Sequence, residues 1–261
     1  MPELDLATVT AANEAWGGAA PEGSEVVETA EYRLVCLPER FPGRLQVQWV
    51  RSARPAADVL AEVAARAAAF DLPEAFVYVK LGSPEGFDEA LLGRGAELLD
   101  TGDLLARPLP ADIGATGLPG LDVRWLTTPE TARDANTVGI ATFGGSPAAD
   151  DELARLAVAY RAAHEAGTGG AVVAYLDGNP VGVSGLEIAD GVARLSGGGV
   201  LEGHRGRGVY RALLATRLDY AAEQGATMVL TQADVTTSSP ILRRLGFAAY
   251  GQERSYRLPL N

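Results

Sequence analysis

The chain has 261 residues, of which 47% are hydrophobic and 21% are charged, so its composition is that of a globular protein with a core and not of a disordered one. Its formal net charge of -12 disfavours nucleic acids and anionic membranes, and we expect neither as a partner. One cysteine and two histidines cannot supply an internal disulfide or a metal cluster, so we expect no bound metal. No basic stretch precedes an apolar run, and no apolar window approaches roughly 18 residues, which predicts a cytoplasmic protein without a membrane span.

The first half reads as mixed α and β structure. Hydrophobic patterning predicts strands at 31–37, 45–50 and 75–81, and a helix that opens at Pro55 and runs to about Phe70. Residues 101–120 are rich in proline and glycine, and we interpret them as an exposed connection. This divides the chain into a domain at 1–110, a linker at 111–120 and a domain at 121–261.

The second half carries clear start and stop signals. Thr127 begins a Thr-x-x-Glu capping box with Pro129 in the first helical turn, and Asp150 or Asp151 can cap a second helix that ends near Ala163. Asp177-Gly178-Asn179 predicts the turn of a hairpin. The further predicted elements are strands at 121–126, 171–176, 180–188, 192–201 and 228–233, helices at 209–224 and 241–245, and strand-like segments at the end of the chain.

One segment, VLEGHRGRGVYRALL at 200–214, passes from a strand through a turn rich in glycine and arginine into an amphipathic helix. The unpaired N–H groups and partial positive charge of a helix N-terminus bind phosphate, and glycines let a phosphate approach the backbone. His204 and the arginines at 205, 207 and 211 add positive charge. A glycine-rich loop with solvated arginines is the open alternative. The Gly-Lys-Ser/Thr ending of a P-loop and the third glycine of a dinucleotide-binding fingerprint are both missing.

Arg205-Gly206-Arg207-Gly208, with the preceding strand, resembles the Arg/Gln-x-x-Gly-x-Gly/Ala motif of the GCN5-related N-acetyltransferases (GNAT). Tyr210 departs from the pattern, because the family usually has glycine or alanine there. A second family element, a helix before a Gly-Phe pair, is matched by SPILRRLGF at 239–247. Residues 75–109 loosely echo the end of the chain, so the first domain looks like a degenerate copy. An unrelated α/β domain is the open alternative.

The resemblance implies an α/β (α+β) fold of two acetyltransferase-like domains, each a mixed, mostly antiparallel sheet flanked by helices. It implies acetyl-CoA as a co-substrate, and an amine of a small molecule or protein as the acceptor, attacked directly in a ternary complex. The three glycines at 197–199 suit close approach by a ligand. The implied cofactor-binding residues are Gly199, Val200, Leu201, Arg205, Gly206, Arg207, Gly208, Val209, Tyr210 and Arg211.

The proton-transfer residues are less well defined. Many relatives use as general acid a tyrosine four residues before the glycine of the Gly-Phe pair, where this chain has Leu242. Ser238, Ser239 and Tyr250 are possible substitutes by position, although a hydroxyl there also suits a helix cap and Tyr250 a core position. Glu187 and Asp234 are the candidate bases, with a solvated strand end and a turn as their alternative roles.

The missing tyrosine leaves a second hypothesis open, namely a non-catalytic acyl-CoA-binding or sensing protein. A third is an interaction protein whose glycines are purely structural. The sequence identifies neither the acceptor amine nor the oligomeric state.

Overall fold

The computed structural model describes residues 4–15, 20–114 and 117–260, and these form seven α-helices and eleven β-strands. Internal packing divides them into two units. The N-terminal unit contains residues 5–105, 232–242 and 249–260, and the C-terminal unit contains Leu4, 106–231 and 243–248. Residues 115 and 116 of the predicted linker lie outside the described residues.

The N-terminal unit is built on strands β1 (Glu25–Glu28), β2 (Tyr32–Cys36), β3 (Leu45–Val50) and β4 (Glu74–Val79), in that order. β1, β2 and β3 are antiparallel, whereas β3 and β4 are parallel and are connected through helix α2 (Ala56–Ala68). Buried residues alternate along β4, and the apolar face of α2 joins the same core. Helices α1 (Leu6–Glu14) and α3 (Phe87–Gly93) and most of strand β5 (Glu97–Pro108) complete the first part of the unit.

The C-terminal unit repeats this plan. Its elements in chain order are β6 (Leu121–Trp125), α4 (Pro129–Phe143), α5 (Asp150–Glu165), β7 (Gly169–Leu176), β8 (Asn179–Ala189), β9 (Val192–Val200), α6 (Val209–Glu223) and β10 (Met228–Asp234). The strands from β6 to β9 are antiparallel, and α6 connects β9 to its parallel neighbour β10. The shared order of two hairpin connections followed by a strand–helix–strand crossover confirms the predicted mixed fold class.

The last strand, β11 (Ala248–Pro259), pairs antiparallel with β4, with Tyr256 opposite Val77. Helix α7 (Ser238–Arg244) lies mostly in the same N-terminal unit. The end of the chain therefore packs with its first half. The two packed units are thus not simply the two sequence segments on either side of 111–120. The boundary at 111–120 stays a prediction about the domains as sequence segments.

Three local expectations were wrong. Residues 101–108 are not an exposed connection but the greater part of β5, where the apolar run Leu104, Leu105 and Ala106 is buried. The N-cap of α4 is Thr128, not Thr127, and its capping partner is Thr131. Helix α5 begins after Ala149 without a side-chain cap, so its aspartates lie inside the first turn. No described helix is both long and apolar enough to cross a membrane.

Candidate functional site

The parallel strands β9 and β10 separate part-way along their length. Backbone pairing runs from Met228 opposite Val192 to Leu230 opposite Arg194, and the described residues show none between these strands beyond that point, although β9 continues to Val200. On its other side, β9 pairs irregularly with β8, since Gly185 faces Ser196 but Val183 faces Gly199. The extra residue in β9 makes a bulge, which re-aims the backbone where the strand leaves β10.

The loop after β9 delivers the chain to the N-terminus of α6. A 3-10 turn at Glu202–His204 is followed by Gly206 and Gly208 with φ angles of +72° and +92°, a left-handed backbone that favours glycine. Gly208 caps α6 without a side-chain hydrogen bond, and the first N–H bonded within the helix is that of Ala212, which donates to the Gly208 carbonyl at 3.1 Å. The preceding N–H groups at 209–211 are therefore available to an anion.

The loop arginines divide into two roles. Arg205 donates from Nε to the Val200 carbonyl at 3.1 Å and so ties the loop to the end of β9. Arg207 and Arg211 are exposed beside the helix N-terminus. A β-carbon added at Gly203 or Gly206 would meet no atom within 4 Å, so the space over the loop is open. These features fit the pyrophosphate of a CoA molecule.

The glycines of β9 make room mainly for protein side chains. A β-carbon at Gly198 would come within 2.9 Å of the Tyr210 ring, and one at Gly199 within 2.4 Å of Thr142 Cγ2. Gly197 is exposed, with φ +55° and no atom near its missing side chain. The large Tyr210 side chain thus occupies the space left by the missing side chain of Gly198, and the tyrosine ring packs against β9.

Backbone groups at the end of β9 are partly used within the protein. The Leu201 N–H donates to the Val181 carbonyl at 2.9 Å, and the Leu201 carbonyl accepts from the His204 N–H at 2.8 Å. The Leu201 N–H is therefore not free for a ligand, and the Val200 carbonyl is already the acceptor for Arg205.

Residues 139–247 match the model of the acetyltransferase (GNAT) family. The chain thus carries a GNAT-like segment at 139–247. The matched segment spans β9, the glycine-rich loop, α6, and the Gly246-Phe247 pair, so both elements of the sequence resemblance lie inside it. Acetyl transfer is the reaction class of this family.

Solved structures extend the likeness over nearly the whole chain at the level of the fold. A GCN5-related N-acetyltransferase from Kribbella flavida is 21% identical, with a TM-score of 0.66 and 90% of each chain covered. One from Sphaerobacter thermophilus is 18% identical, with a TM-score of 0.65 over 92% of this chain and 83% of that one. A tandem GNAT protein from the clavulanic acid biosynthesis pathway is 18% identical, with a TM-score of 0.63 over 98% of this chain and 94% of that one. No curated protein matches the chain.

Glu187, a predicted base, lies opposite Arg194 in the β8–β9 register. Arg194 and Val200 are six positions apart on β9, which amounts to about 20 Å along an extended strand. This position argues against Glu187 as a base for chemistry at Val200, the place where the GNAT resemblance puts the thioester.

Asp234, the other predicted base, ends β10 and organises the turn that follows. Its carboxylate accepts hydrogen bonds from the backbone N–H and the hydroxyl groups of Thr236 and Thr237, at 2.6 to 2.9 Å. The bonds from Thr236 and then Thr237 hold the pKa of Asp234 well below its usual range. A carboxylate stabilised in this way is a weak base.

The hydroxyl candidates lie around α7. Ser239 is buried and donates to Asp103 Oδ2 at 2.5 Å, so it has a structural partner on β5. Ser238 begins α7 and is half-buried, and Tyr250 is half-buried on β11. Leu242, at the usual tyrosine position, is 1% exposed and belongs to the core.

A pocket of about 200 Å³ in the N-terminal unit contains residues that the sequence did not single out. Its walls include Tyr78, Asp100, Asp234, Glu253 and Arg254. Burial, followed by the neighbouring Asp234 carboxylate, raises the pKa of Asp100, and burial raises the pKa of Glu253. Side-chain amides of two further residues, Asn13 and Gln232, donate to the Glu253 carboxylate. Local patterns cannot indicate this pocket, because its walls come from segments more than 100 residues apart.

Proposed function

We propose that the chain binds acetyl-CoA at the loop between β9 and α6 and transfers the acetyl group to an amine of a small molecule or protein. The observation that carries this proposal is the N-terminus of α6, whose N–H groups at 209–211 have no helical acceptor and stand beside two left-handed glycines. The match of residues 139–247 to the GNAT family model supports the same reading.

Each part of the loop has a role in this proposal. The backbone at Gly206, Gly208, Val209 and Tyr210 receives the pyrophosphate, and the exposed Arg207 and Arg211 add charge beside it. Arg205 acts through the protein, since its side chain holds the end of β9 in place. Gly199 and Val200, on the segment of β9 that has left β10, hold the pantetheine arm.

The reaction would be a direct displacement in a ternary complex. The neutral amine nitrogen attacks the thioester carbonyl, an amide near Val200 steadies the oxyanion, and the carbon–sulfur bond breaks. The amine nitrogen loses one proton, and the leaving CoA sulfur takes one up. Ser238 and Tyr250 stay candidates for the donor of that proton, whereas Glu187 and Asp234 are poorly suited to accept the first one.

Calorimetric titration of acetyl-CoA into the wild type and a Gly208→Glu variant tests the cofactor site. The added carboxylate stands where the pyrophosphate would lie, so we expect micromolar binding in the wild type and a loss of about tenfold or more in the variant. Gly225→Glu is the matched control, because Gly225 has φ +83° and open space at the opposite end of α6. That variant carries the same backbone strain and should bind normally.

Turnover is tested separately by detecting free CoA thiol with a panel of amines. Release of CoA that depends on the amine supports transfer. Binding without release against every amine would instead favour an acyl-CoA-binding protein, and no binding by the wild type would overturn the proposal.

A further inference from the structure

Helix α6 carries a buried arginine, Arg217, whose side chain reaches the adjacent sheet. Arg217 is 1% exposed, and it donates from Nε to the Leu213 carbonyl at 3.0 Å and from Nη1 to the Gly185 carbonyl of β8 at 2.9 Å. A long helical side chain points back towards the helix N-terminus, which brings the guanidinium towards Tyr210, two turns earlier on α6. A hydrogen bond between the two side chains is among the causes that act on the pKa of each. Arg217 therefore connects α6 to β8 and to Tyr210.

The buried charge of Arg217 is unfavourable for stability by itself. Burial lowers the pKa of Arg217 to about 10, which still leaves the guanidinium charged at neutral pH. Burial raises the pKa of Tyr210, so the neighbouring hydroxyl stays neutral. Across residues 4–15, 20–114 and 117–260, no carboxylate forms an ion pair with Arg217. An apolar side chain would fill the same space without this desolvation cost, so the arginine indicates a task other than packing.

The groups that Arg217 connects lie at the bulge of β9. Gly185 is opposite Ser196, and the extra residue of β9 follows at 197–198. A β-carbon at Gly198 would lie 2.9 Å from Cε2 of Tyr210, the ring carbon beside the one that bears the hydroxyl. The tyrosine ring thus lies against the bulge, while the arginine bonds the neighbouring strand just before it. Both contacts belong to the place where β9 leaves β10.

We propose that Arg217 is a positioning residue for the cofactor site. Through Tyr210 and β8 it holds the bulge of β9 and the first turn of α6 in one arrangement, so that the gap between β9 and β10 exists before a ligand binds. The Tyr210 N–H is one of those proposed to receive the pyrophosphate, so a shift of this turn would weaken that contact. The role rests on the proposed acetyl-CoA site, and Arg217 acts in it through the protein.

Calorimetric titration of acetyl-CoA, combined with thermal unfolding, separates positioning from stability. Arg217→Met keeps part of the apolar stem and removes the charge, so its Tm should stay within about 3 °C of the wild type. Its affinity for acetyl-CoA should nevertheless fall about tenfold. Tyr210→Phe removes only the hydroxyl and should lose about threefold in affinity. It should cause no further loss in the Arg217→Met background, because the two side chains act as a unit.

Two matched controls make the same chemical changes elsewhere. Tyr220→Phe removes a hydroxyl from the same helix, where Tyr220 donates to the His164 carbonyl. Arg33→Met removes an arginine that is 8% exposed on β2 of the N-terminal unit. Both variants should bind acetyl-CoA as the wild type does.

Hydrogen–deuterium exchange without ligand gives a readout that does not depend on the cofactor. Peptides covering 196–201 should exchange about tenfold faster in Arg217→Met than in the wild type, whereas peptides covering β7 should not change. No binding of acetyl-CoA by the wild type would overturn the proposed cofactor site and, with it, this role. Wild-type binding that Arg217→Met retains in full, or unchanged exchange at 196–201, would overturn the positioning role alone.

Discussion

Gly199 of β9 lies so close to Thr142 of α4 that a β-carbon on the glycine would come within 2.4 Å of the threonine methyl carbon. Atoms at that distance must move apart, and the end of α4 packs against the strand segment that we propose to hold the pantetheine arm. We expect Gly199→Ala to destabilise the protein by about 1–3 kcal/mol, measured by urea denaturation. The φ angle of Gly199 is not left-handed, so the loss would report packing alone.

Two variants control this prediction. Thr142→Ser removes the methyl group but keeps the hydroxyl that donates to the Val138 carbonyl at 2.7 Å, so the double variant should recover part of the lost stability. Gly203→Ala, in open space, should change stability by less than about 0.5 kcal/mol. A Gly199→Ala protein as stable as the wild type would show that α4 does not pack against β9 in this way.

Asp234 should behave as a turn residue and not as a base. Its carboxylate accepts four hydrogen bonds from two threonines, which keep it ionised and weakly basic. Asp234→Asn retains one acceptor oxygen and should keep most of the turnover, whereas Asp234→Ala should lose about 1–2 kcal/mol of stability. Steady-state kinetics and denaturation of both variants check this. Loss of turnover in Asp234→Asn with stability intact would return the residue to the catalytic candidates.

Leu242 should not accept the tyrosine that many relatives have at its position. The leucine is 1% exposed, so Leu242→Tyr adds a ring and a hydroxyl to a filled core. We expect a loss of about 1–3 kcal/mol and no gain in acetyl transfer. Thermal unfolding and CoA release would be measured side by side. A faster and still stable variant would mean that this side chain can reach the leaving sulfur.

The acid stability of the N-terminal unit should depend on Asp88. The Arg254 guanidinium bonds Asp88 at 2.6 and 2.7 Å, the Tyr256 hydroxyl bonds it at 2.7 Å, and Arg254 is the main cause that lowers the pKa of Asp88. When the pKa of a carboxyl group falls on folding, the ionised group stabilises the folded protein at a pH above its unfolded-state pKa of about 3.9. This contribution is lost as the pH falls through the lower pKa of the folded state.

Asp88→Asn should therefore cost about 1–2 kcal/mol near pH 7, a figure kept small because Arg254 is about one-third exposed. The cost should decrease as the pH falls below about 4. Urea denaturation across this range measures the difference. Asp122→Asn, in the exposed pair with Arg124, should leave the stability almost unchanged at any pH. An equal cost for Asp88→Asn at pH 3 and pH 7 would exclude the charge as its cause.

Local signals predicted much of the C-terminal unit. The turn residues Asp177 and Gly178 both have positive φ angles between β7 and β8, and Gly225 follows α6 with φ +83°, as the hairpin and the helix stop required. The glycine-rich loop was also readable, because a phosphate-binding helix N-terminus needs only neighbouring residues. The buried Arg217 was less readable, because it lies four residues from both Leu213 and Ala221, on the apolar stripe of α6 where the pattern favours an apolar side chain.

The sequence by itself determined the mixed α/β class, the strand–loop–helix unit at 192–223 and its resemblance to GNAT proteins, because each depends on contacts within a few turns of chain. Only the tertiary structure decided that β11 pairs with β4, that Ser239 binds Asp103, and that carboxylates from β5, β10 and β11 line one pocket. Strand partners are chosen by burial and hydrogen bonding summed over residues far apart in the chain, and no local pattern contains that sum.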